Sequence, residues 1–155
     1  MKQDIHVISR AVILDDDQIL IVYDPKWSIE QRYYYLPGGH IEHAESAADA
    51  MLRELREEIS DQCSIKRFLG CFENDFSREK PQYKKKCHNH EFNFLFWVEG
   101  PFKKGVIPEQ KEPWVAFKWV AITELSTLNF LPSGMSASIE KWLKKDYSEA
   151  LQAID

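Results

Sequence analysis

The segment LPGGHIEHAESAADAMLRELREEIS, Leu36 to Ser60, constrains this chain more than any other. Two consecutive glycines, Gly38 and Gly39, end an aromatic run and are followed by a helical pattern in which Ala48, Met51, Leu52, Leu55 and Ile59 fall on one stripe at about 100° per residue. That stripe should face a core. Ser46 followed three residues later by Asp49 has the form of a capping box with a shorter acid, which starts the helix near Ala47 and leaves Glu45 just outside it. Glu54, Glu57 and Glu58 then project from one polar face at spacings of i, i+3 and i+4. Like charges so placed repel by a few tenths of a kcal/mol, about 0.2–0.5 per pair, and negative charge late in a helix opposes its dipole. Local stability therefore gives no reason for the arrangement. A divalent cation does, because carboxylate oxygens are hard ligands suited to Mg²⁺ or Mn²⁺ and a bound metal turns repulsion into shared attraction. Taken alone, the string E-L-R-E-E reads as a solvated face braced by Arg53 against Glu57. The preceding Pro-Gly-Gly and the glutamate at the helix entrance favour a site.

The rest of the chain supplies strands. IHVISRAVIL and ILIVYD, joined by an acidic turn, read as a hairpin. PKWSIEQR reads as a loop, and YYYLP as a short aromatic strand ended by Pro37. CSIKRFLGCFEND and HEFNFLFWVEG are further strands on either side of a basic loop, SREKPQYKKKCHN, and WVAFKWVAI is another β-rich run. ITELSTL suggests a short helix. Met135, Ile139, Trp142 and Leu143 stand at helical spacing and predict a closing amphipathic helix. With 155 residues, 44% hydrophobic content and neither a repeat nor a linker, the chain reads as a single domain, 1–155. Its start lacks a secretory pattern, and no apolar run spans a bilayer, so a soluble cytoplasmic protein with no membrane partner is the expectation. Three cysteines without a C-x-x-C pair fit a reducing compartment. A formal net charge of -5 argues against a general nucleic-acid partner, since phosphate backbones demand a basic face.

The central segment resembles the Nudix hydrolase family of MutT-like pyrophosphohydrolases, whose signature is G-x5-E-x7-R-E-U-x-E-E-x-G-U with U a bulky apolar residue. Gly39, Glu45, Arg53, Glu54, Leu55, Glu57 and Glu58 occupy their places in it. Ser60 stands where glycine is expected and Asp61 where an apolar residue is, which leaves the helix exit unspecified. The resemblance implies an α/β fold, the Nudix-type α/β/α sandwich with a central mixed β-sheet, a signature loop-helix-loop and a C-terminal helix. It implies Mg²⁺ (or Mn²⁺)-dependent hydrolysis of a small-molecule nucleoside diphosphate derivative by water attack on phosphorus, and it is compatible with a homodimer. By position, Glu54, Glu57 and Glu58 would be metal ligands together with the backbone carbonyl of Gly38, while Glu45 and Arg53 would hold loop and helix together. For the general base Glu57 is the first choice and Glu54 the next; Glu91, Glu109 and Glu112 are outside candidates. The alternative is a catalytically silent module on the same fold that binds a nucleotide or an RNA end.

Other residues invite weaker readings. Cys87, His88 and His90 suggest zinc but lack a fourth ligand at a recognised spacing. His90 or Glu91 could line a substrate pocket, Trp27 could stack a base, and His40 and His43 flank the expected phosphate site. Lys84, Lys85 and Lys86 form a loop run that could attract a polyanion.

Overall fold

Polarity alternates along the first strand, and this decides how the protein is layered. In the computed structural model, which describes residues 4–76 and 89–153, β1 (Ile5–Asp15) sends Ala11 and Ile13 to one side of the sheet and Val12 to the other. β2 (Gln18–Tyr23) returns antiparallel beside it as the expected hairpin, with Asp16 in the left-handed conformation (φ 51°) that short polar side chains tolerate. β3 (Gly38–His40) pairs antiparallel with β1, α1 (Ala47–Glu58) follows, and β4 (Ser64–Asp75) and β5 (His90–Glu99) form a long antiparallel pair. After β6 (Ala116–Ala121) come a 3-10 helix (Ile122–Thr127), α2 (Met135–Leu143) and a two-residue β7 (Leu151–Gln152). The sheet order is β6-β2-β1-β5-β4-β7, with β3 off this path on β1. The β1–β5 and β4–β7 pairs are parallel, so the sheet is mixed.

The two faces bury different helices. Met51 and Leu55 of α1 pack with Ala11, Ile13, Leu20, Val22, Phe96 and Val98. On the opposite face Met135, Ile139 and Trp142 of α2, with Leu125 of the 3-10 helix, cover Val12, Ile19, Ile21, Leu69 and Leu95. Each fully buried aliphatic side chain contributes about 1.5–3 kcal/mol. The result is the α/β/α sandwich that the resemblance implied.

Three local expectations change. YYYLP is not a strand: Tyr34 and Tyr35 make single bridges to Phe130 and Val22. The two glycines do not end extended structure but form β3. Tertiary approach drives this, because a side chain at Gly38 would collide with the Ser9 carbonyl oxygen across the β1–β3 pair. At the helix exit Ile59 has φ -131°, and its N–H and that of Ser60 both donate to the Leu55 carbonyl at 2.8 Å. The Ser60 hydroxyl accepts from the Gln62 N–H at 3.1 Å. Helix α1 thus stops without a left-handed residue, so serine at this place carries no conformational penalty.

Candidate active site

The N-terminus of α1 is fixed by Ser46, whose hydroxyl accepts from the Asp49 N–H at 3.1 Å and donates to the Asp49 carboxylate at 2.7 Å. The Ser9 hydroxyl of β1 donates to the Ala47 carbonyl at 2.7 Å, tying the first turn to the sheet. Arg53 organises the next layer. Its Nη2 and Nε donate to the two oxygens of Glu45 at 2.7 and 3.1 Å, Nη2 also reaches the His40 carbonyl at 2.9 Å, and Nη1 reaches Glu54 at 2.8 Å. Glu45 in turn accepts from the Glu42 N–H at 2.7 Å. One guanidinium thereby joins the loop after β3 to the middle of α1 through a bidentate pair.

The carboxylates meet the glycine strand. Glu54 lies against Gly39, where an added Cβ would sit 2.5 Å from its carboxylate atoms, so any larger residue would displace that carboxylate. Glu58 accepts from the Gly38 N–H at 3.2 Å. Glu57 is the outermost, 54% exposed, with Arg53 at 3.6 Å. Burial pushes the Glu58 carboxyl up to about 7, against the Gly38 hydrogen bond, and the neighbouring Glu54 and Glu112 charges add to the rise. Burial also raises Glu54, which Arg53 partly offsets. Glu45 is held low by its Arg53 hydrogen bonds, and those bonds to Glu45 raise Arg53.

Hard oxygen donors, desolvated and mutually repelling beside backbone that only glycine permits, have the chemistry of a divalent-cation site. Among the described residues no three His, Cys, Asp or Glu side chains form a ready-made cage, and Arg53 engages oxygens of Glu54 and Glu57. These donor types suit such an ion.

The remaining candidates scatter. His40 shares a 2.8 Å hydrogen bond with His6, and burial, the first cause, lowers its pKa together with the charges of His6 and Arg10. His43 is exposed. His90 pairs with Glu73 at 2.8 Å and stacks on Phe92, whereas its neighbour Glu91 points to the opposite face and lines a cavity with Arg10, Tyr35, Phe76, Leu131 and Pro132. Trp27 is 48% exposed on its loop, under the Lys26 ammonium, and is not among those lining residues. Cys87, His88 and the three lysines fall outside the described residues. Glu112 belongs near the site, because Lys111 donates to the Arg56 carbonyl at 3.0 Å and anchors its loop beside α1; Glu109 lies in the same loop.

Sequence reasoning passed over Arg10. Its guanidinium donates to the Leu36 carbonyl at 3.1 Å and to Asn93 at 3.3 Å, sits over the Tyr35 ring, and acts on both Glu58 and Glu91. The available signal was a lone arginine inside the apolar run IHVISRAVIL.

An acidic helix packed on a mixed sheet and clamped to a glycine strand defines a class, and comparison with known proteins names it. The family model described as NUDIX domain matches residues 5–144. The chain belongs to the Nudix hydrolase family. It is 26% identical over 98 residues to the CTP pyrophosphohydrolase of Escherichia coli, covering 58% of this chain and 73% of that one. A nudix hydrolase of Caenorhabditis elegans is 27% identical over 74 residues, 45% of this chain but only 20% of that longer protein. Among solved structures, a Nudix hydrolase from Nitrosomonas europaea superposes with TM-score 0.69 at 20% identity, covering 92% of this chain and 91% of the other. This last likeness speaks to the fold.

Proposed function

We propose that this chain is a metal-dependent pyrophosphohydrolase acting on a nucleoside diphosphate linked to a further group. The observation that carries the reading is the pair of desolvated carboxylates, Glu54 and Glu58, packed against Gly39 and Gly38. The pyrophosphohydrolase name of the Escherichia coli relative supports the reaction class. Glu54, Glu57, Glu58 and the Gly38 carbonyl would hold Mg²⁺ or Mn²⁺, which when bound neutralises phosphate oxygens and acidifies water. Glu57, the exposed member of the set, would take the proton of the attacking water. A water-oxygen-to-phosphorus bond forms, the bridging oxygen leaves with the bond electrons as a phosphate, and the proton passes to Glu57. Arg53 and Glu45 keep the loop and helix in register through the step.

A panel of nucleotide sugars, dinucleotides and nucleoside triphosphates, with and without Mg²⁺ or Mn²⁺, tests the proposal. At least one compound should be hydrolysed with metal and about 100-fold more slowly by Glu57→Gln, the scale of losing one charge-handling group. Tight binding with unchanged ligand recovered would instead favour a binding module. Among the described residues no helix is long and apolar enough to cross a membrane.

A further inference from the structure

Where β1, β5 and β4 run on past the first turn of α1, polarity is distributed against expectation. The side of the sheet facing α2 carries Asn74, Glu91 and Asn93, all buried. The opposite side carries hydrophobic residues that stay exposed.

Alternation and pairing register define this second surface. Ser9, whose hydroxyl reaches the first turn of α1, stands opposite Phe94, Phe94 opposite Cys71, and Cys71 opposite Leu151 of β7. In the next row Val7 opposes Phe92 and Phe92 opposes Glu73, and beyond it Ile5 opposes His90. On the other flank the Phe68 ring packs against Phe94 and Phe96, with centroids 6.2 and 5.4 Å apart. Directly opposed residues share one side of a sheet, so Ile5, Val7, Phe92, Phe94, Phe68 and Leu151 form a single apolar shelf across four strands. Ile5, Val7, Phe68 and Leu151 are 37–57% exposed.

We propose that this shelf is the two-fold interface of a homodimer, in which the face stacks on the same face of a second copy. Charge selects the occupant. The charged positions within these rows lie at one corner, Glu73 bonded to His90 at 2.8 Å and Asp75 opposite His90. An acidic corner on a chain of formal charge -5 repels anionic lipid and nucleic acid. The rest of the shelf is a neutral apolar plane, which is complementary to itself. A two-fold axis running along or across the strands carries the acidic corner to the rim of the contact instead of onto its own copy. Size agrees as well. Strand spacing and rise give the shelf roughly 300–400 Å², against about 800 Å² per partner in a stable interface. The shelf therefore supplies the apolar core and its surroundings the polar rim. The proposal stands on this surface alone and is independent of the hydrolase reading.

Sedimentation velocity of the full chain, from micromolar to millimolar protein, tests it. The wild type should pass from the 18.2 kDa monomer to twice that mass. Association should strengthen as salt rises, because the copies repel through their net charge while the contact itself is apolar. Ile5→Lys and Leu151→Lys, at exposed positions, should each weaken the dimer by about tenfold or more. Phe68→Glu should weaken it further, and where that variant melts early the two lysine variants decide. Ile107→Lys is the control: this residue is 54% exposed, but it follows Val106, whose carbonyl accepts from Trp119 of β6 at the far sheet edge. It should leave the dimer unchanged. A monomer at every concentration, or association that weakens with salt, overturns the proposal. So does a dimer that the folded shelf variants leave intact or that Ile107→Lys weakens equally.

Discussion

The two helices that sandwich the sheet are held on by different means. Helix α2 spends its surface on packing: Met135, Ile139 and Trp142 are fully buried, and the Trp142 ring fills the space where Gly70 lacks a side chain. Helix α1 buries a narrower stripe, Ala50, Met51 and Leu55, and is otherwise tied down by polar contacts from Ser9, Ser46 and Arg53. Those contacts anchor the helix while Glu57 stays 54% exposed. Stability and chemistry should therefore separate along the same line, with α2 variants failing by unfolding and α1 variants failing while folded.

The largest effect is expected on α2. Trp142→Ala should lower stability by about 3–5 kcal/mol in denaturant melts, the range for truncating a buried large aromatic, with turnover per folded molecule preserved. On α1 the converse should hold: Glu57→Gln should lose about 100-fold in kcat with a melting temperature close to wild type, because this carboxylate is mostly exposed. Loss of folding in Glu57→Gln would break the comparison. Arg53→Lys is the intermediate case. A lysine cannot reproduce the paired bonds to Glu45 and the reach to Glu54, so kcat should fall about tenfold with a drop of a few degrees in melting temperature, of the order given by losing one charged hydrogen bond.

The smallest effect is a pH slope. The carboxyl of Glu58 sits near 7 in the folded chain against 4.5 ordinarily, so between those values the unfolded chain releases this proton while the folded chain keeps it. Its contribution to stability is thus fully present below about 4.5 and lost as pH rises toward 7. Glu58→Gln should flatten that part of the stability profile measured without divalent metal. An unchanged slope would mean that the buried carboxyl is not the group responsible.

How legible was this molecule in its sequence? Alternation announced the hairpin, β4, β5 and β6, and the stripe through Met51 and Leu55 with Ser46 before it gave the start of α1 at Ala47 but not its exit. Strand β3 was hidden because glycine has no strand propensity of its own; pairing with β1 forms it, and the Ser9 carbonyl leaves no room for a side chain at Gly38, whose φ is 133°. The carboxylate spacing showed the acidic face and Arg53 beside Glu57, but not that Arg53 would engage Glu54 as well. Glu112 joins the site through Lys111, an anchor made across 55 residues of chain. Neither Arg10 nor Asn74 stands out in the sequence, and Glu91 does so only as a candidate for a pocket wall or a base; the β4–β5 register sets Glu91 opposite Asn74, and the fold puts Glu91 and Arg10 on one cavity wall.

The central claim is that the negative charge on α1 exists for a divalent cation. Melting curves of the wild-type chain and of Glu58→Gln at pH 8, titrated with Mg²⁺ at constant ionic strength, test it most directly. Selective binding to the folded state should raise the wild-type melting temperature by several degrees, the consequence of about 2–3 kcal/mol when the ion is in large excess over its dissociation constant, and the variant should gain far less. Equal shifts in both proteins, or no shift in either, would contradict the account.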